Sequence, residues 1–323
     1  MKRRIIFMGT TDFAAYILER LLLKKYEIVG VFSQPDRKQG RSQEILYTET
    51  KKIALQYNKT CYGFDNINEH IDLISELHPD IIITCAFGQK LSSQILNIPN
   101  FRCINVHASI LPQYRGGAPI HHAIIDGHKK TGNTIMYMEE ELDAGAIIAQ
   151  SIIAIDDDDT TSSLSMKLRV DAANLLISVM PLIFKRDIRA LAQDENRVSF
   201  APVIRREWEL INFDREINVV YNHIRGLLNV PGCYIVINNI KIKLHHVKMV
   251  IDIHDYQTGL VKCDNNEYFK IYALNGYIKV FEFQIAGKKR IKYSDYINQN
   301  KKDIIDNIII NEGVKYGYKS RLY

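Results

Sequence analysis

The sequence predicts an α/β chain: a Rossmann-like, mostly parallel sheet with helices on both faces, followed by a small OB-like β-barrel. Three features predict it. Over the first half, short continuous apolar runs alternate with helix-spaced segments, as expected of strands covered on both faces by helices. Over residues 185–206 the pattern turns irregular and charged, as in a linker. Beyond it, five short alternating segments are separated by turn formers such as Asn238-Asn239 and Asn275-Gly276, the pattern of a small barrel. The expected division is residues 1–188, a linker at 189–206 and a barrel domain at 207–323.

Taken in order, residues 5–9 read as the first strand and 12–23 as a helix with apolar residues at helical spacing. Residues 26–32, 80–84 and 103–106 are further apolar strands. Residues 118–126 look helical, with Pro119 in the first turn, where its missing N–H costs nothing. Residues 134–138 and 146–155 read as later strands. A long amphipathic helix follows at 160–184, after four aspartates (Asp156, Asp157, Asp158, Asp159) that suit the positive end of its dipole. In the barrel part, a helix at 217–227 precedes strands at 233–237, 241–247, 259–262, 269–273 and 278–284.

Composition narrows the class. Hydrophobic residues make up 46% and charged residues 24% of the 323, ordinary for a soluble protein of two domains. Met1-Lys2-Arg3-Arg4 leads straight into four apolar residues, too few for a signal peptide. No stretch approaches the ~20 apolar residues of a membrane span. A cytoplasmic protein without a membrane partner is expected. The five cysteines are odd in number and form no C-x-x-C pair, so buried thiols are expected rather than disulfides or a metal site. Residues 1–200 carry 23 Lys and Arg against 24 Asp and Glu, whereas 201–323 carry 19 against 13. A basic C-terminal part suits a polyanionic partner.

The stretch that carries chemistry runs from Asn105 through Val106, His107, Ala108, Ser109, Ile110, Leu111, Pro112, Gln113, Tyr114 and Arg115 to Gly116-Gly117. It starts at the carboxyl end of a strand, where open α/β sheets place their ligands. Asn105 and His107 alternate with Val106, so both leave the same face. Some thirty residues later, Glu141-Leu142-Asp143-Ala144-Gly145 forms an acidic loop. An amide donor, an imidazole and a carboxylate suit acyl transfer from a stable formyl amide. The attacking amine must lose a proton, the oxyanion needs hydrogen-bond donors, and the leaving nitrogen must gain a proton. A lone histidine at a strand end most simply satisfies the backbone; the whole string argues for more.

That string resembles the formyl-tetrahydrofolate-dependent transferase family, whose pattern is Asn-x-His-x-Ser-Leu-Leu-Pro followed by Arg-Gly; only Ile110 departs from it. The resemblance implies that Asn105, His107 and Asp143 are the catalytic trio, and that Ser109, Ile110, Leu111 and Pro112 line the folate site. It implies 10-formyltetrahydrofolate as the formyl donor; nothing in the sequence points to a metal, and none is expected. In this reading Asp143 holds His107 and favours its charged form. Asn105 and His107 bind the developing oxyanion, and His107, or a water held by Asp143, shuttles protons.

The acceptor is read from other segments. The opening Gly9-Thr10-Thr11-Asp12-Phe13 is similar to the family's Gly-Thr-Pro-Asp-Phe start and is no Gly-x-Gly-x-x-Gly fingerprint, which argues against a nicotinamide enzyme. Gln34-Pro35-Asp36-Arg37-Lys38-Gln39-Gly40-Arg41 resembles the loop with which methionyl-tRNA formyltransferases reach the tRNA acceptor end. Its proline and glycine predict a non-regular conformation, and Arg37, Lys38 and Arg41 suit phosphate contacts. Ser42-Gln43-Glu44 follow where that family usually continues with basic residues. Further resemblance lies in Phe200-Ala201-Pro202, in Tyr221-Asn222-His223-Ile224-Arg225-Gly226 and in Gln284-Ile285-Ala286-Gly287. Lys288, Lys289 and Arg290 close the last of these as the densest basic cluster of the barrel. The resemblance implies an initiator methionyl-tRNA partner; a monomer is expected. The competing readings are a formyltransferase acting on an amino sugar nucleotide, a folate-dependent deformylase and a non-catalytic RNA-binding relative.

Overall fold

The computed structural model describes residues 3–39, 44–298 and 308–310. By packing, these fall into two units. The first lies within Met1–Pro119, Lys130–Ala154 and Ser165–Pro202, and the second within Ile120–Lys129, Ile155–Leu164 and Val203–Tyr323. The expected linker is thus divided: residues up to Pro202 pack with the first unit.

In the first unit, β1 (Arg4–Gly9), β2 (Glu27–Ser33), β5 (Cys61–Gly63), β6 (Ile81–Cys85), β7 (Cys103–His107), β8 (Lys130–Tyr137) and β9 (Ile147–Ala154) form one sheet. Its order is β5-β2-β1-β6-β7-β8-β9. Pairing is parallel from β5 to β7 and antiparallel for β7 with β8 and β8 with β9. The mostly parallel, Rossmann-like sheet is as the apolar runs predict. Every residue of β6 is buried, because helices cover both faces. α1 (Asp12–Leu23) packs Phe13, Ile17, Leu18 and Leu21 inward. At Gly9 a Cβ would lie 2.6 Å from Ala14 Cβ and 2.9 Å from the Cys85 carbonyl oxygen, so the strand-to-helix turn there admits only glycine.

The stretch after β2 departs from expectation. Arg37–Gln39 (β3) pairs antiparallel with Glu44–Leu46 (β4), apart from the main sheet. The stretch is therefore partly regular, since residues 37–39 and 44–46 satisfy each other's backbone groups. α2 (Glu49–Gln56) follows, with Thr48 accepting from the Lys51 amide. Two short helices, α3 (Ile71–Glu76) and α4 (Ser93–Leu96), precede β6 and β7. α5 (Pro119–Ile125) and the 25-residue α6 (Thr161–Lys185) lie within a residue of the stretches read as helical.

In the second unit, β10 (Cys233–Ile237), β11 (Ile240–Ile251), β12 (Val261–Lys262), β13 (Phe269–Ala273), β14 (Gly276–Ile285) and β15 (Ile291–Lys292) form an antiparallel, curled OB-like sheet. Its order is β10-β11-β14-β13-β12, with β15 on β14. α7 (Ile217–Leu227) presents Ile217, Val220, Ile224 and Leu227 to a core shared with Ile235, Leu244, Ile271, Val280 and Phe283. β15 and the helix α8 (Tyr293–Ile297) add to the five strands read from the sequence. Among the described residues, no helix is long and apolar enough to cross a membrane.

Candidate active site

The first sheet reverses its order around β1, with β2 on one side and β6 and β7 on the other, and ligands of open α/β sheets bind at the carboxyl ends there. β7 delivers Asn105 and His107 to this end. Thr84, at the corresponding position of β6, lies beside Asn105 in the parallel register. Its hydroxyl donates to Asn105 Oδ1 at 2.8 Å. That contact turns the Asn105 amide so that Nδ2 donates to Asp143 Oδ1 at 3.3 Å.

The other oxygen of Asp143 has its own partners. Oδ2 accepts from the Gly116 amide at 2.9 Å and lies 3.6 Å from His107 Nδ1. The far ring nitrogen, Nε2, is 2.9 Å from the Tyr114 carbonyl oxygen. A carbonyl only accepts, so Nε2 bears the ring proton. Nδ1 therefore faces the carboxylate with a lone pair until it takes a second proton. His107 is 6% and Asp143 9% exposed, and Asn105 is half-buried. The sequence-predicted trio is one connected cluster.

Backbone geometry bends to build it. Asp143 (φ 54°) and Tyr114 (φ 62°) both occupy the left-handed region, which non-glycine residues enter mainly where surroundings hold them. The 109–112 segment is pinned by Thr134, whose hydroxyl donates to the Ser109 carbonyl at 2.7 Å and accepts from the Leu111 amide at 3.2 Å. Gln150 Nε2 donates to the Leu111 carbonyl at 2.8 Å. Ser109 Oγ donates to the Gln113 carbonyl at 2.7 Å. Ser109, Leu111 and Pro112 are buried, and Ile110 alone of the four is half-buried.

Nearby cysteines are no nucleophiles: burial pushes the Cys103 thiol up to about 12 and the Cys85 thiol higher still. Among the described residues no cluster of three metal-ligating side chains occurs.

The basic residues are less completely described. Arg37 is exposed on β3; Lys38 is described in its backbone alone, and Arg41 lies outside the described residues. Lys288, Lys289 and Arg290 are exposed in the second unit. Arg290 donates from Nε to Glu282 Oε2 at 2.7 Å, which offsets part of that cluster's charge.

Several site residues carry no signal in the sequence. Thr84 ends a run that reads only as an apolar strand. Arg115 stands in the motif without a task. Gln193, Glu195 and Ser199 lie in the expected linker. Ser199 Oγ accepts from the Tyr114 amide at 3.0 Å, and the Ala201 amide donates to the Arg115 carbonyl at 2.7 Å.

The mostly parallel sheet thus carries an Asn-His-Asp cluster at the carboxyl end of β7, an arrangement suited to acyl transfer. Residues 2–180 match the family described as formyl transferase, and residues 203–301 its C-terminal domain. The chain belongs to the formyl transferase family, enzymes that move a one-carbon acyl group. A methionyl-tRNA formyltransferase of Bacillus cytotoxicus is 40% identical over 304 residues, covering 93% of this chain and 97% of that one. That of Lysinibacillus sphaericus is 42% identical over 296 residues, covering 91% and 95%. The N-formyltransferase of Helicobacter canadensis, solved with folinic acid and dTDP-3-aminofucose, superposes with a TM-score of 0.66. It is 20% identical, with 87% of this chain and 99% of that one covered, and shares the fold.

Proposed function

We propose that the chain transfers the formyl group of 10-formyltetrahydrofolate to the free amino group of initiator methionyl-tRNA, preparing it for translation initiation. The observation that carries this is the connected Asn105–Asp143–His107 cluster, in a chain whose relatives of that name match it across both units. Asn105 keeps a second amide N–H and the most open position of the three, so it is the donor for the oxyanion. A preorganised donor of this kind is worth roughly 3 kcal/mol. Asp143 Oδ2 stands 3.6 Å from His107 Nδ1, where it faces any proton that the ring takes up there.

The amine nitrogen bonds to the formyl carbon and loses a proton; the folate nitrogen leaves and gains one. The His107–Asp143 pair is the local carrier for that net transfer, an aid on the order of 10²–10⁴-fold. Ile110 offers the folate apolar surface, with Ser109, Leu111 and Pro112 shaping the wall behind it.

In this reading residues 1–188 hold the chemistry and 207–323 bind tRNA. Arg37, Lys38 and Arg41, together with Lys288, Lys289 and Arg290, contact its phosphates. The protein acts in the cytoplasm as a monomer and needs no metal. Formyl-tetrahydrofolate supplied with charged initiator tRNA, an amino sugar nucleotide or water alone tests it. The formyl group should appear on methionyl-tRNA; transfer to the sugar nucleotide or to water instead overturns the assignment.

A further inference from the structure

We infer that Gln193 is a positioning residue for formyl transfer, setting the main chain that carries the Asp143 carboxylate. The inference rests on the role proposed for Asp143. Gln193 lies in the stretch that joins the two pattern regions of the sequence, yet it is 9% exposed. Its Nε2 donates to the carbonyl of Asp143 at 2.8 Å and to that of Gly145 at 2.9 Å. One amide thus grips the acidic turn on both sides of Ala144.

The turn has little freedom elsewhere. Asp143 holds a left-handed φ of 54°, and a Cβ on Gly145 would fall 1.9 Å from the Tyr137 carbonyl oxygen. The amide cannot be reversed, because Oε1 accepts from Arg115 Nε at 3.1 Å and arginine only donates. Arg115 is in turn 1% exposed. It is held by Glu195 through Nη1 (3.3 Å) and Nη2 (2.7 Å).

The chain closes on itself one residue later, where the Gly116 amide donates to Asp143 Oδ2. Residues 115 and 116 therefore hold Asp143 twice: its carboxylate directly, and its backbone through Gln193. A loop released at one of these points carries the carboxylate away from His107, and misplacement by about 1 Å costs on the order of 10²-fold in rate.

Gln193→Glu is the selective probe. It keeps size and the oxygen that Arg115 requires, but replaces the donor to both carbonyls with an acceptor. The expected result is a kcat about 10–100-fold lower, with KM for formyl-tetrahydrofolate and methionyl-tRNA within about threefold of the parent. Gln193→Asn, whose shorter stem cannot span Arg115 and the turn together, should lose kcat in the same way. Rates are normalised to folded protein by circular dichroism. A kcat within twofold of the parent in either variant, or a rise in KM alone, overturns the inference while leaving Asp143 in place. Asp143→Ala assayed alongside separates the two ideas: if it retains turnover, the role given to Asp143 falls and Gln193 falls with it.

Discussion

His107 in the first unit and His223 in the second are anchored alike. Each places Nε2 against a backbone carbonyl, that of Tyr114 at 2.9 Å and that of Trp208 at 2.8 Å. Their other surroundings differ. His107 turns Nδ1 towards the Asp143 carboxylate. For His223, burial pushes the pKa down to about 4, against the upward pull of the Trp208 carbonyl and with a smaller push from the Arg215 cation. The two imidazoles thus share an anchor and differ in surroundings: a carboxylate stands at the second nitrogen of His107, whereas desolvation favours the neutral form of His223.

The largest test of that contrast is on the first unit. Asn105→Ala, His107→Ala and Asp143→Ala should each lower kcat by about 10²–10⁴-fold with little change in folate KM. Steady-state kinetics with methionyl-tRNA read this, and near-parental turnover in His107→Ala breaks the contrast outright.

The second unit supplies the next effect, on stability. Unfolded His223 takes up a proton near pH 6.5, whereas the folded imidazole does so only near 4. Between those values the unfolded chain binds more protons. Stability is complete above pH 6.5 and falls as the pH drops towards 4, by up to about 3 kcal/mol. Urea unfolding at pH 7.5 and 4.5, followed by the fluorescence of Trp208, the single tryptophan, measures it. The variant His223→Gln keeps an N–H donor without the titration, and should flatten this part of the pH dependence. An unchanged pH slope would mean that His223 is not held neutral.

The smallest effect concerns exposed charge. Neutralising Lys288 and Lys289 should weaken tRNA use and lower the slope of log KM against log salt by about one for each phosphate no longer neutralised. Arg290, already paired with Glu282, should contribute less. Both lysines are exposed, so folding should be untouched. A salt series that superposes on the parent's removes these lysines from the tRNA surface.

By itself the sequence determined the two-part plan and singled out the candidate reacting groups. Apolar runs bounded by helical segments become doubly covered strands, so β1, β6 and β7 were legible, and alternation along β7 put Asn105 and His107 on one face. The barrel strands followed from their two-residue period and turn formers. What depends on distant partners was not legible. Gln193 looks like any polar residue in a charged stretch, and it matters only because folding brings it to carbonyls 48 and 50 residues away. Thr84 acquires its place through the parallel register of β6 and β7. The β3–β4 pairing made part of a proline- and glycine-marked stretch regular, because its two strands satisfy each other's backbone groups. Periodicity is a local property of the chain and survives in one dimension. The orientation of a carboxylate is set by hydrogen bonds from remote segments, and only the tertiary structure brings those together.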